Sequence, residues 1–119
     1  MTDNVYWVLE LSIKDGQLNN FQKLMNEMVE ATKRDEPGAL NYEWWLSEDK
    51  SACHIYERYA DSDAAMAHLG NFGSKFAERF MTYVDPTRFM VYGKSSAQVK
   101  EALAGFGAVF MQSFGGFGR

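Results

Sequence analysis

Two histidines, His54 and His68, and one cysteine, Cys53, are the side chains of this 119-residue chain best suited to proton transfer, metal ligation or nucleophilic attack. Cys53 and His54 are adjacent in a segment that reads as a strand, so they point to opposite faces. No His-x-His, Cys-x-x-Cys or His-Glu-x-x-His spacing occurs, and no protein metal site is expected. Gly105, Gly107, Gly115, Gly116 and Gly118 do not link a strand to a helix as a phosphate-binding loop does. No bound nucleotide, flavin or other cofactor is therefore expected. Cys53 has no activating neighbour, and the serines and threonines lie near caps and turns, so a nucleophilic triad is not expected either.

His68 is the candidate that remains. It precedes Leu69 and stands four residues before Phe72, on the shoulder of an apolar helical stripe. An imidazole in that place can give or take a proton near neutral pH. The plainer reading is a core-edge histidine bonded to a backbone carbonyl or to Glu57. His54, Tyr56 and Arg58 share one strand face, suited to a ligand or to a subunit contact. Trp44 and Trp45 face opposite ways. Phe72, Phe76 and Phe80 read as core, with Tyr83 beside them. Glu10, Glu43 and Glu57 lie in strands, where an unpaired carboxylate is costly to bury, and Arg58 or Arg88 are candidate partners.

The elements that must position these residues follow from periodicity. Val5, Trp7, Leu9, Leu11 and Ile13 alternate with Tyr6, Val8, Glu10 and Ser12, which predicts a strand that Asp15-Gly16 ends. Leu18, Phe21, Leu24, Met25, Met28 and Val29 recur at helical spacing, predicting a helix over residues 17–35 stopped by Pro37-Gly38. Residues 40–47 and 52–59 read as a hairpin about the polar turn at 48–51. Asp61 or Ser62 caps a helical region running to about residue 84, with a break expected near Asn71 because Gly70 and Gly73 interrupt it. A fourth strand is expected over residues 87–92.

Strand, helix, strand, strand, helix, strand is the split βαβ order of an α+β, ferredoxin-like domain with an antiparallel sheet. Right-handed crossovers put both helices on one face. Large aromatics fall on both faces of the strands, Trp44 against Trp45 and Tyr6 against Trp7, so whichever face the helices leave bare is too apolar for a solvated sheet. A second sheet from a twofold-related copy is the simplest cover, so a homodimer is expected. The whole chain, 1–119, reads as one domain, with a core at about 5–94 and an extension at 95–119. In that extension Ser95 or Ser96 caps a short helix, and residues 107–114 form a possible fifth strand, at a sheet edge or crossing to the partner.

Composition narrows the function classes. Hydrophobic residues make up 46%, charged residues 24% and aromatics 15%, an ordinary globular profile rich in rings. The net charge of −4 offers no basic face for nucleic acid and none for an anionic membrane. No apolar run reaches the ~20 residues of a membrane span. The start, Met-Thr-Asp-Asn, shows no secretory leader, and a single cysteine suits a reducing compartment, so a soluble cytoplasmic protein is expected.

Several stretches together resemble the antibiotic biosynthesis monooxygenase family of dimeric α/β-barrel proteins. They are Ile13-Lys14-Asp15-Gly16, Pro37-Gly38 followed by Tyr42, His-Ile-Tyr-Glu-Arg-Tyr at 54–59, and Asp-Ser-Asp-Ala-Ala-Met-Ala-His-Leu at 61–69. Phe-Ala-Glu-Arg-Phe at 76–80 is similar to bacterial members of the quinol monooxygenase type. The resemblance covers residues 5–94. It implies a homodimer whose two sheets form a barrel, with a pocket in each subunit between sheet and helices. It also implies oxygenation of an aromatic without metal or flavin, the deprotonated substrate itself supplying the electron to oxygen.

On that resemblance His68, which matches the family's position in the second helix, is the catalytic acid/base. Trp7, Trp44, Tyr56, Phe72 and Tyr83 are assigned to the substrate-binding wall by residue type and face. The heme-degrading branch needs Asn, Trp and His where this chain has roughly Leu9, His68 and Glu78, so heme degradation is disfavoured. The expected function is cofactor-independent oxidation of a small electron-rich aromatic, a quinol or a polyketide-like phenol, by molecular oxygen. A non-catalytic small-molecule-binding or stress-related dimer, and an isomerase on the same scaffold, are the alternatives.

Overall fold

The computed structural model describes residues 2–119. In chain order the elements are β1 (Val5–Ile13), α1 (Leu18–Asp35), β2 (Ala39–Leu46), β3 (Ala52–Tyr59), α2 (Ser62–Lys75), α3 (Ala77–Tyr83), β4 (Val84–Gly93), α4 (Ala97–Ala104) and β5 (Val109–Met111). They build one sheet in the order β2-β3-β1-β4-β5. The first four strands pair antiparallel, and β5 joins β4 in parallel. This is the expected ferredoxin-like arrangement with one strand added at an edge.

Alternation decides which side chains enter the core. Val5, Trp7 and Leu11 of β1, Cys53, Ile55, Glu57 and Tyr59 of β3, and Phe89 and Val91 of β4 are buried toward the helices. Two apolar clusters form there. Leu11, Phe21, Leu24, Met28, Ile55 and Phe80 lead the first, under α1 and α3. Val5, Trp7, Tyr59, Ala65, Val99 and Leu103 lead the second, under α2 and α4. On the opposite face Tyr6 stacks on Tyr92 at 5.5 Å and meets Tyr56 edge-on at 6.5 Å. That face stays partly open, and Trp45 is 61% exposed.

Three local expectations need correction. The break in the second helical region falls at Phe76, not near Asn71. Helix α2 runs through Gly70 and Gly73, because a glycine costs a helix about 1 kcal/mol without stopping it. Asn71 is also tied by its side chain to Glu36. Val84 ends no helix but starts β4, which then passes Pro86 beside a register shift between Glu10 and Leu11. The fifth strand has only three residues, 109–111, and everything from Gln112 onward is exposed.

Gly93 closes β4 at φ +96°, where a side chain would run into the Asn4 carbonyl. The chain turns there into α4, which Ser96 caps by accepting from the Val99 amide at 3.1 Å. Among the described residues no helix is long and apolar enough to cross a membrane.

Candidate functional site

Where the two apolar clusters meet, a polar group is buried between sheet and helices. Glu57 supplies its first member. It is the carboxylate in the inward phase of β3, among Cys53, Ile55 and Tyr59, whereas Glu10 and Glu43 fall in the outward phase of their strands. Glu36 supplies the second. It follows the last turn of α1, where its amide still donates to the Thr32 carbonyl, and Pro37 ends the helix in a turn that the Ala39 amide closes by donating to the Glu36 carbonyl. His68 supplies the third from the inner side of α2, a helix started by Asp61 accepting from the Ala64 amide at 2.8 Å.

The geometry joins them in a line. His68 Nδ1 lies 2.9 Å from Glu36 Oε1, and His68 Nε2 lies 3.2 Å from Glu57 Oε1. Asn71 Nδ2 donates to the second oxygen of Glu36 at 3.2 Å. The Tyr59 hydroxyl donates to Glu57 Oε1 at 2.5 Å. The side chains of His68, Glu36 and Glu57 are 7%, 8% and 6% exposed, so their charges are poorly screened by water.

Burial by itself would depress the His68 pKa. The hydrogen bonds and charges of Glu36 and Glu57 overcome it and raise the group to about 9. The ring is thus an imidazolium at neutral pH, with each nitrogen facing a carboxylate. Burial first, and then the charge of Glu57, hold the Tyr42 and Tyr59 hydroxyls well above the usual phenol range, so both stay neutral. Two carboxylates and one imidazolium leave one net negative charge. The unit therefore holds an uncompensated negative charge away from water.

Aromatic rings wall this unit. Tyr42 meets the imidazole edge-on and Tyr59 at a tilt, both at 5.1 Å between centroids. Trp44 continues the wall 5.5 Å beyond Tyr42 and contacts Phe21 at 5.6 Å and Phe80 at 6.4 Å. Phe72 stands against Phe80 at 5.2 Å.

Of the residues selected from sequence, His68, Trp44, Phe72 and Tyr83 lie on this helix-covered side, the last three packed against the first apolar cluster. Trp7 is buried in the second cluster and reaches His68 only through Tyr59, whose ring it meets at 5.0 Å. Tyr56 lies on the far face of the sheet, beside Tyr6, because it is out of phase with Glu57 on the same strand. The structure thus separates Tyr56 from His68. His54 is also on that far face, 3.5 Å from Glu10.

Glu36, Tyr42, Tyr59 and Asn71 join the site without having been selected. One signal was available: a carboxylate at 57 in the apolar phase of a strand demands a buried cationic partner. Glu36 gave none, since its place depends on how α1 exits toward β2. Rings fill the space beside His68. Two surface depressions, of about 380 Å³ over α3 and about 360 Å³ beside Lys94 and Lys100, do not include it. Among the described residues no three His, Cys, Asp or Glu side chains are placed to share a metal ion.

Comparison with known proteins bears on the family and the fold. The family model described as antibiotic biosynthesis monooxygenase matches residues 4–77. No match to a curated protein sequence is found. The crystal structure of MupZ from Pseudomonas fluorescens superposes with a TM-score of 0.89 over 100% of this chain and 91% of that one, at 23% identity. SnoaB from Streptomyces nogalater, described as a cofactor-independent oxygenase, gives 0.67 over 81% of this chain and 97% of its own, at 15% identity. A conserved protein from Methanosarcina mazei gives 0.68 over 77% and 93%, at 16% identity.

Proposed function

The chain belongs to the antibiotic biosynthesis monooxygenase family, and from that premise we propose that it oxidises a small electron-rich aromatic with molecular oxygen, without a cofactor, as a homodimer. The substrate class is a quinol or a polyketide-like phenol. The observation that carries the reading is the buried Glu36–His68–Glu57 unit, singly negative and walled by aromatic rings.

A flat substrate stacks against Trp44 and Phe72 and presents its acidic hydroxyl or methylene to Glu57. Tyr42 must swing aside to admit it, since its ring stands against His68. The substrate proton passes to Glu57, His68, already an imidazolium, keeps both carboxylates oriented, and Glu57 later gives the proton to the oxygen that leaves as water. The substrate anion then reduces dioxygen. One oxygen atom is added to the ring carbon and the other leaves as water, so an anthrone-type ring methylene becomes a carbonyl and a quinol becomes a hydroxyquinone. SnoaB supports the reading as a structural neighbour described as a cofactor-independent oxygenase. The partly open sheet face bearing Tyr6, Trp45, Tyr56 and Tyr92 supports the dimer.

Oxygen uptake with a panel of quinols and anthrone-type compounds tests the proposal. Uptake that falls at least 100-fold in a folded His68→Gln protein is expected. Turnover that does not depend on His68 would sink it. A second reading draws on a different observation: an acid and a base stand side by side, which suits an isomerase that shifts a proton and needs no oxygen. Turnover undiminished under nitrogen would select it.

A further inference from the structure

Arg58 is a part-buried cation on the open face of the sheet, in the outward phase of β3 with His54 and Tyr56. Its Nε donates to Asn41 Oδ1 at 2.8 Å and its Nη1 to Asn4 Oδ1 at 3.1 Å. Asn4 is itself fixed, donating to the Ala60 carbonyl at 3.1 Å. Among the described residues three of the five guanidinium N–H groups have no acceptor, and both acceptors present are neutral. Glu43, on the same face of β2, has the opposite deficit: its Oε2 accepts from Asn41 Nδ2 at 2.6 Å, a neutral donor. Among the described residues neither Arg58 nor Glu43 forms an ion pair within 4.0 Å. Asn41 is thus a neutral spacer between a positive and a negative charge, each short of a partner. Covering this face strips water from both.

Resting on the homodimer proposed above, we infer that Arg58 of each protomer binds Glu43 of the partner subunit, two reciprocal ion pairs that fix how the second sheet lies across the first. A twofold axis makes every contact twice, so a face with one unmatched cation and one unmatched anion complements its own copy. Strand register places the axis. Arg58 lies opposite Tyr6, while Glu43 and Val8 both lie opposite Tyr56, two residues further along. With strands about 4.8 Å apart and about 6.8 Å per two residues, the line equidistant from Arg58 and Glu43 crosses the face diagonally and passes within about 2 Å of Val8. Val8 belongs to β1, the middle strand of the five, so this axis is centred on the face. The same axis brings the exposed Trp45 against the partner's Tyr6. It also crosses the strands of the two sheets steeply, in the orthogonal mode of sheet packing. Glu10 is a poorer match for Arg58, because His54 already stands 3.5 Å from it.

Charge reversal tests the pairing in solution. Wild type should sediment as a dimer at micromolar concentration. Arg58→Glu and Glu43→Arg each set two like-charge contacts across the axis. Each alone should therefore sediment as a folded monomer, its dimer dissociation constant raised about 100-fold or more. A 1:1 mixture of the two variants should recover the dimer, since both contacts then join opposite charges. A pair formed within one chain cannot give that result. Where circular dichroism shows a reversed chain to be unfolded, Arg58→Gln and Glu43→Gln take its place. The double glutamine variant should then weaken the dimer no more than the worse single one, because the same pair cannot be lost twice. Reversed variants that dimerise like wild type, a mixture that stays monomeric, or additive losses in the glutamine series overturn the inference and leave the proposed homodimer standing. A monomeric wild type removes the homodimer and the inference together.

Discussion

Raising the pH from 6.5 to 9 should remove about 3 kcal/mol of folding stability, nearly all of it through His68. In the folded protein this group titrates at about 9, against 6.5 when unfolded. Between those values the native state holds a proton that the unfolded chain has released, so stability falls as pH rises. The whole gap, at about 1.4 kcal/mol per pH unit, amounts to about 3–4 kcal/mol, of which about 3 kcal/mol is lost inside that window. The contribution is whole below pH 6.5 and gone above 9. The burial of Cys53 pushes its thiol up to about 11 from 9.0, which adds a further loss only above pH 9.

The assay is urea unfolding followed by tryptophan fluorescence at pH 6, 7, 8, 9 and 10, at one protein concentration because association shifts the midpoint. His68→Gln is the partner measurement. It leaves two buried carboxylates without their cation, a change that costs about 3–5 kcal/mol when one member of a buried pair is removed. Its profile should lack the fall that His68 gives wild type between pH 6.5 and 9. A wild-type profile flat across that window would refute the reasoning, as would an equal slope in both proteins.

Three further outcomes follow from the packing. Gly70 and Gly73 lie inside α2 with open space where a Cβ would go, so Gly70→Ala and Gly73→Ala should each raise stability by about 0.4–1 kcal/mol in the same urea titration. Cys53 is buried, and its raised pKa leaves little thiolate, so Ellman's reagent at pH 8 should label it only on the timescale of unfolding. Tyr56→Glu places a charge on the open sheet face opposite the site; sedimentation equilibrium should show a wild-type dimer at micromolar concentration and a folded monomer for the variant.

The strands were legible in the sequence because burial on one face enforces a two-residue period. The bounds of β1 and β3 fall where alternation and the flanking polar turns put them. The second helical region was misread at its break. Two glycines look like an interruption in sequence, but Phe76 ends α2 and precedes α3, and it is buried. His68 was legible as a titratable group on an apolar shoulder, and Glu57 as one of its possible partners. Glu36 was not, because it is separated from His68 by 32 positions and reaches it only through the turn after α1. Tyr56 and Glu57 are neighbours in sequence, yet the pleat sends one to each face. Assigning a ring to the site by type alone therefore fails where strand phase is ignored.

Labelling with ¹⁸O₂ tests the central claim most directly. Incubated with a hydroxyaryl substrate under ¹⁸O₂, the protein should place one labelled atom in the organic product and the other in water, and His68→Gln should abolish the incorporation. A product whose new oxygen comes from solvent, or one that forms equally well without dioxygen, would contradict the account.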